Sequence, residues 1–310
     1  MSWFDPYKAV LTFLLKSLVL GMIVLPPYAQ VSHNQVKNVD CFYPKLTHSA
    51  EHLILGISRA ATGIAPEVLK AELGLKGRML NFAFVGAVTP YGVDYHQLVR
   101  RKISKGKETP VFILSVNPDN LSQNRYKALW SEGAHPIYDL FLVNINPNVE
   151  YFLRKIRRKK STILDNDPPE KNESFRFFEG GWMGLKDRKG AESLEDEAAE
   201  IDRISTKKIP SPERIQALSE LINALSKRGT VVLVRMPVTS KVRRKETQIF
   251  PGFNQEMLQL AEQYKVPFLD YSERAEAYSF FDANHLNVEG AIAFTHDLAQ
   301  DIKTILRSDH

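Results

Sequence analysis

The chain predicts an α/β fold: an open, doubly wound parallel sheet of about five strands, flavodoxin-like and three layers deep (helix, sheet, helix). Three observations predict it. Short apolar runs alternate with stretches of helical periodicity from residue 53 onward, and strands separated by helices pair in parallel because each crossover brings the chain back in the same direction. With 310 residues, 44% of them hydrophobic and 25% charged, there is material for one sizeable domain and its core. The polar residues of chemical interest, Ser58, Asn117 and the 282–287 stretch, all follow the carboxyl ends of apolar runs, where open α/β sheets collect their ligands.

The elements follow in order. Residues 9–25 are apolar apart from Lys16 and a few small polar residues, about one bilayer thickness at ~1.5 Å per residue. Pro26-Pro27 is expected to stop that helix. Residues 1–30 therefore read as a membrane anchor or a signal segment, the anchor being preferred because Pro27-Tyr28-Ala29 is a poor cleavage site. A buried or interfacial helix of a cytosolic protein is the plainer alternative. Lys8 and Lys16 favour a cytoplasmic N-terminus, which places residues 31–310 on the extracytoplasmic side. Strands are expected at 53–56, 79–85, 110–116, 230–236 and 266–270, with a helix that opens near Pro66 and runs through 71 and others at 93–103, 120–130, 212–227, 254–264 and 287–305. An insertion at about 136–210 breaks this rhythm. It holds a glycine-flanked aromatic cluster, Phe177-Phe178-Glu179-Gly180-Gly181-Trp182-Met183-Gly184, read either as a lid whose Trp182 packs on a sugar or acyl group or as a surface excursion pinned by its aromatics.

Two short stretches carry the chemistry. Gly56-Ile57-Ser58 sits where a strand gives way to a helix, and Asp282-Ala283-Asn284-His285 precedes the last helix. A serine hydroxyl is a poor nucleophile until an imidazole takes its proton, and the imidazole needs its other nitrogen held by an acceptor. An Asp three residues before a His can do this through one tight turn. Ser58, His285 and Asp282 are thus the candidate catalytic residues, with the Ser58 N–H as one oxyanion donor.

Residues 56–64 (GISRAATGI) and 281–290 (FDANHLNVEG) resemble the SGNH, or GDSL-like, hydrolase superfamily. More narrowly they resemble its membrane-anchored bacterial members, related to exported polysaccharide O-acetylation and D-alanyl-transfer proteins. The likeness spans roughly residues 53–307. Ile57 stands where the family commonly has Asp, whereas the Asp-x-x-His block matches in full. The resemblance implies two further oxyanion donors, Gly86 after the second strand and Asn117 after the third, although Asn117 lacks the family's Gly-x-Asn-Asp context. It also implies an acylated glycan or lipid as substrate and an envelope acylation complex as partner. The expected activity is that of a serine esterase or acyltransferase; the alternative is a non-catalytic member of the fold that binds glycan or scaffolds such a complex.

Other classes fit less well. Position 60 is Ala, so the Gly-x-Ser-x-Gly elbow of α/β-hydrolases is missing. The sequence carries no His-Glu-x-x-His, Cys pair, Walker loop or Rossmann glycine pattern, so no metal or cofactor is expected. Cys41 is the only cysteine and a net charge of +5 is modest; with no nucleic-acid module, nucleic acid is not an expected partner. Arg59 reads as a clamp for a substrate carboxylate or as an ion-pair partner beneath the loop. Arg235, at a strand end ahead of the basic run Lys241-Val242-Arg243-Arg244-Lys245, is placed to meet an anionic substrate. The run Arg154-Lys155-Ile156-Arg157-Arg158-Lys159-Lys160 reads as lipid- or glycan-facing, or simply as a solvated helix face.

Overall fold

The structure, a computed structural model, describes residues 6–36, 42–84, 91–124, 140–158, 175–178, 180–186 and 208–308. Its strands are β1 (His52–Leu55), β2 (Met79–Asn81), β3 (Val111–Ser115), β4 (Ser122–Asn124), β5 (Phe175–Phe177), β6 (Met183–Leu185), β7 (Lys208–Pro210), β8 (Thr230–Arg235) and β9 (Phe268–Asp270). Five of them form one sheet in the order β2-β1-β3-β8-β9, every neighbouring pair parallel. This is the expected doubly wound α/β arrangement, with its first crossover running one way and the later ones the other.

Why the sequence takes this form is visible in the central strands. β1 and β3 are buried along their whole length, as parallel strands covered on both faces must be. Side chains alternate between the faces. Leu53, Leu55, Phe112, Leu114 and Leu233 enter one core, together with residues of α5 (Val93–Lys102), α7 (Pro212–Ser226) and α9 (Phe253–Tyr264). Ile54, Ile113, Val232 and Val234 enter the other, against α3 (Ser58–Gly63), α4 (Pro66–Leu73) and α10 (Val288–Ser308). The three-layer reading holds.

Two local expectations are corrected and two local details are added. The apolar helix α1 runs Pro6–Val36, straight through Pro26-Pro27, since each proline removes one i→i−4 bond and leaves the ladder on either side available. The helix expected to open near Pro66 is α4, and the short helix α3 precedes it; the two are separate because Ala65, ahead of Pro66, is held extended (φ −87°, ψ 106°). Where a helix was expected at 120–130, residues 122–124 form β4, antiparallel to β7. Asn117, Asn120 and the Ser122 hydroxyl bond nearby backbone instead, an alternative such side chains offer against helix. The basic run at 241–245 belongs to α8 (Ser240–Ile249), whose buried face is Val242, Glu246 and Ile249.

From the 136–210 segment, α6 (Val149–Arg158) meets α2 (Tyr43–Thr47) through stacked Tyr43 and Phe152, and Tyr28 of α1 packs against the same pair. Residues 7–25 of α1 form a helix long and apolar enough to cross a membrane, with large side chains such as Leu11, Phe13 and Leu18 exposed. That fits an anchor or a signal sequence. Of the basic run beginning at Arg154, Arg154 pairs with Glu150 one turn back at 2.8 Å; residues 159 and 160 lie outside the described residues.

Lys102, at the end of α5, is fully buried; its ammonium donates to His48 O and, at 2.6 Å, to Asn144 Oδ1. Burial first, then the nearby Arg78 and Arg101, lowers its pKa from 10.5 to about 7. Above that value the unfolded chain binds the extra proton, so stability rises with pH between about 7 and 10. Denaturant midpoints across this range should climb in the wild type and climb less in Lys102→Met.

Candidate active site

The site begins with a glycine. Gly56 ends β1 at φ +144°, and a Cβ there would lie 2.9 Å from Ser115 Cβ and 3.1 Å from Ala60 Cβ. Only glycine lets β1 turn this close to β3. The turn makes Ser58 the first residue of α3, where a backbone N–H lies outside the intrahelical ladder. Its hydroxyl is 2.8 Å from His285 Nε2.

His285 belongs to a loop closed by a bridge between Phe280 and Leu286. Asp282 builds that loop from within. Its Oδ1 accepts the N–H groups of Asn284 and His285, each at 2.7 Å, while Oδ2 lies 2.8 Å from His285 Nδ1. From outside, Thr239 N–H and Oγ1 donate to Ala283 O at 3.3 and 2.9 Å. Burial works against the charge on Asp282, but hydrogen bonding and the charge of His285, aided by the two backbone donors, hold its carboxyl below the usual carboxylate range. An ionised carboxylate only accepts, so Nδ1 carries the proton and Nε2 presents a lone pair to the Ser58 hydroxyl. The arrangement can therefore draw a proton from Ser58 and hold it.

Asn117 follows β3, the strand beside β1. It forms a reciprocal pair with Asn120: each side-chain oxygen accepts the other's backbone N–H, at 2.9 and 3.0 Å. That fixes Asn117 Oδ1 and leaves its buried Nδ2 with no partner among the described residues. A buried donor left unpaired costs about 1–3 kcal/mol, so it calls for a purpose. Gly86 lies outside the described residues.

The other sequence candidates are buried and bonded within the protein. Arg59 is buried, giving Nε to Asn284 Oδ1 at 2.7 Å and NH1 to Glu246 Oε1 at 2.6 Å, so of its two readings the ion pair beneath the loop is the one formed. Arg235 reaches the other oxygen of Glu246 at 2.9 Å, and its NH1 bonds Asn254 Oδ1 at 2.8 Å. Trp182 is a correction. It is 6% exposed, stacks on Phe178 at 4.3 Å, and donates its indole N–H to Thr62 O at 2.6 Å. Buried indole needs such a partner, and Thr62 on α3 supplies it, so Trp182 buttresses the Ser58 helix from the β5–β6 hairpin. Sequence reasoning missed Glu246 and Asn284. Glu246 left one signal, an acidic residue on the Val242/Ile249 stripe of a basic helix. Among the described residues no group of three or more His, Cys, Asp and Glu is placed to hold a metal ion.

No family model matches the chain, and no curated protein matches it. Among solved structures it is similar to a lipase/acylhydrolase from Enterococcus faecalis (13% identity, 82% of this chain and 96% of that one, TM-score 0.40). It is also similar to an inhibitor-bound aryl esterase from M. smegmatis (10% identity, 82% and 99%, TM-score 0.37). A third is a carbohydrate acetylesterase from Sinorhizobium meliloti (11% identity, 84% and 100%, TM-score 0.39). At this level of likeness, only the chain's own geometry bears on chemistry.

Proposed function

We propose that the protein is a serine hydrolase or acyltransferase acting on ester-linked acyl groups. The continuous Ser58–His285–Asp282 hydrogen-bond relay, 2.8 Å at each link, carries this reading. Ser58 Oγ attacks the ester carbonyl as His285 Nε2 takes its proton, and Asp282 stabilises the imidazolium. The resulting oxyanion is met by the Ser58 N–H and Asn117 Nδ2; Gly86 is a donor only as the sequence resemblance implies. Collapse expels the alcohol, protonated by His285, and leaves an acyl-serine. Water or an acceptor hydroxyl, deprotonated by the same imidazole, then takes the acyl group and frees Ser58.

The substrate class is an acylated glycan or lipid of the cell envelope, and the setting is the extracytoplasmic face of a membrane in which α1 is the anchor. The apolar N-terminal helix and the sequence resemblance support this assignment, and an envelope acylation complex is the partner it suggests. The deciding experiment treats the full chain in detergent with a fluorophosphonate probe and maps the adduct. Modification at Ser58 supports the proposal. A folded protein that resists the probe, yet binds acylated glycan, favours the non-catalytic alternative.

Asn117 supplies a sharper check. Asn117→Ala should lower kcat for p-nitrophenyl acetate by ~10²–10³-fold, the usual effect of removing one oxyanion donor, with KM nearly unchanged. An unchanged kcat in a folded variant would remove Asn117 from the oxyanion site.

A further inference from the structure

We infer that Glu246 is a positioning residue for the Ser58–His285 pair, acting through a buried Arg–Glu–Arg cluster; this rests on the catalytic reading above. The connections are continuous. Arg59 follows Ser58 directly in the chain, and Asn284 directly precedes His285. The Arg59 Nε–Asn284 Oδ1 bond at 2.7 Å therefore ties the segment that carries the hydroxyl to the loop that carries the imidazole. Asn284 is itself held to the relay, since its N–H donates to Asp282 Oδ1.

A guanidinium is a rigid fork, so its aim depends on what holds its remaining nitrogens. Glu246 holds Arg59 NH1 at 2.6 Å, in a pair where the side chains are 5% and 2% exposed. Glu246 is in turn fixed from behind by Arg235 at 2.9 Å. Arg235 is anchored at the end of β8 by Asn254 and lies 3.7 Å from Asp270, at the end of β9. Two sheet strands thus set the orientation of a residue adjoining the serine. The catalytic pair joins residues 227 apart in sequence, and beside their own hydrogen bond the Arg59–Asn284 bond is a second polar side-chain link between their two segments.

The charge pattern explains why the residue is a carboxylate. Two guanidinium groups share Glu246, one on each oxygen. An amide at the same place would keep one acceptor and turn a donor toward the second cation, and removing the partner of a buried charge is strongly unfavourable. Arg59 would then lose the contact that aims it, and the Ser58–His285 distance would no longer be fixed. Buried ion pairs also serve purely to specify a fold, so the test must read more than stability.

The full chain in detergent, as wild type, Glu246→Gln, Asn284→Ala and the double variant, is assayed with p-nitrophenyl acetate and a fluorophosphonate. All rates are normalised to the folded fraction from near-ultraviolet circular dichroism. The expected result is a fall in kcat and in phosphonylation rate of ~10–100-fold in each single variant, with KM within about threefold. Because both changes break one link, the double variant should fall no further than the worse single one. Asn284→Ala leaves its own backbone bond to Asp282 in place and so decides the matter if Glu246→Gln does not fold. Folded variants that match wild-type kcat, or singles whose effects multiply in the double, overturn the inference and leave the catalytic reading intact. A folded wild type that is not labelled at Ser58 overturns both.

Discussion

Ser58→Ala should abolish fluorophosphonate labelling and lower ester turnover by ~10⁴–10⁶-fold, while melting temperature and circular dichroism stay near those of the wild type. The asymmetry follows from what Ser58 touches. Its hydroxyl bonds His285 Nε2, whereas α3 is held by the buried Ala60 and Ala61, by the indole of Trp182 on Thr62, and by Asn81 Nδ2 on Ala60 O. Alanine keeps the Cβ and good helix propensity, so the packing of α3 is preserved and only the nucleophile is lost. His285→Ala should remove about as much activity, and the double variant no more than either, since hydroxyl and imidazole act as one unit. Labelling that survives in Ser58→Ala would locate the reactive serine elsewhere and end the assignment.

How much of this was legible in the sequence depended on distance along the chain. The sheet was, because each strand is a local apolar run whose alternation already sends Leu53 and Ile54 to opposite cores. The Asp282–His285 pair was, because three residues and one turn are enough to make it. Ser58 was marked by the change from strand to helix at Gly56. Glu246 was not, because its partner Arg59 lies 187 residues away and nothing local distinguishes a helix carboxylate that pairs across a fold. Trp182 was misplaced for a related reason. Glycine-flanked aromatics look like an exposed lid, and only the assembled fold shows that a Cβ added to Gly181, whose φ is +79°, would lie 2.5 Å from Asn81 O. No side chain larger than hydrogen fits there, which seats the indole against α3. Over 120–124, the described part of the helix expected at 120–130, asparagine and serine side chains bond the nearby backbone instead; residues 125–130 lie outside the described residues.

Asp282→Asn should cost ~10⁴-fold in kcat with little change in KM, and for a reason that separates orientation from architecture. An amide oxygen at Oδ1 can still accept the N–H groups of Asn284 and His285, so the loop persists. The amide nitrogen, however, faces His285 Nδ1 as a donor. The imidazole must then accept at Nδ1 and carry its proton on Nε2, which leaves no lone pair for the Ser58 hydroxyl. Asp282→Ala, which removes the loop's acceptor as well, should lose stability besides activity. The carboxylate also leaves a mark on stability as a function of pH. Its folded pKa lies below the ordinary value of 3.8, so its contribution is fully present above that value and is lost as pH falls through the lower one. Chemical denaturation at pH 7 should therefore rank the wild type above Asp282→Asn, and the gap should close as the pH is taken below about 4. A gap that stays constant into acid would mean that the carboxylate's charge contributes nothing to holding the histidine loop. A kcat that survives the substitution would mean that the tautomer of His285 is set by something other than Asp282.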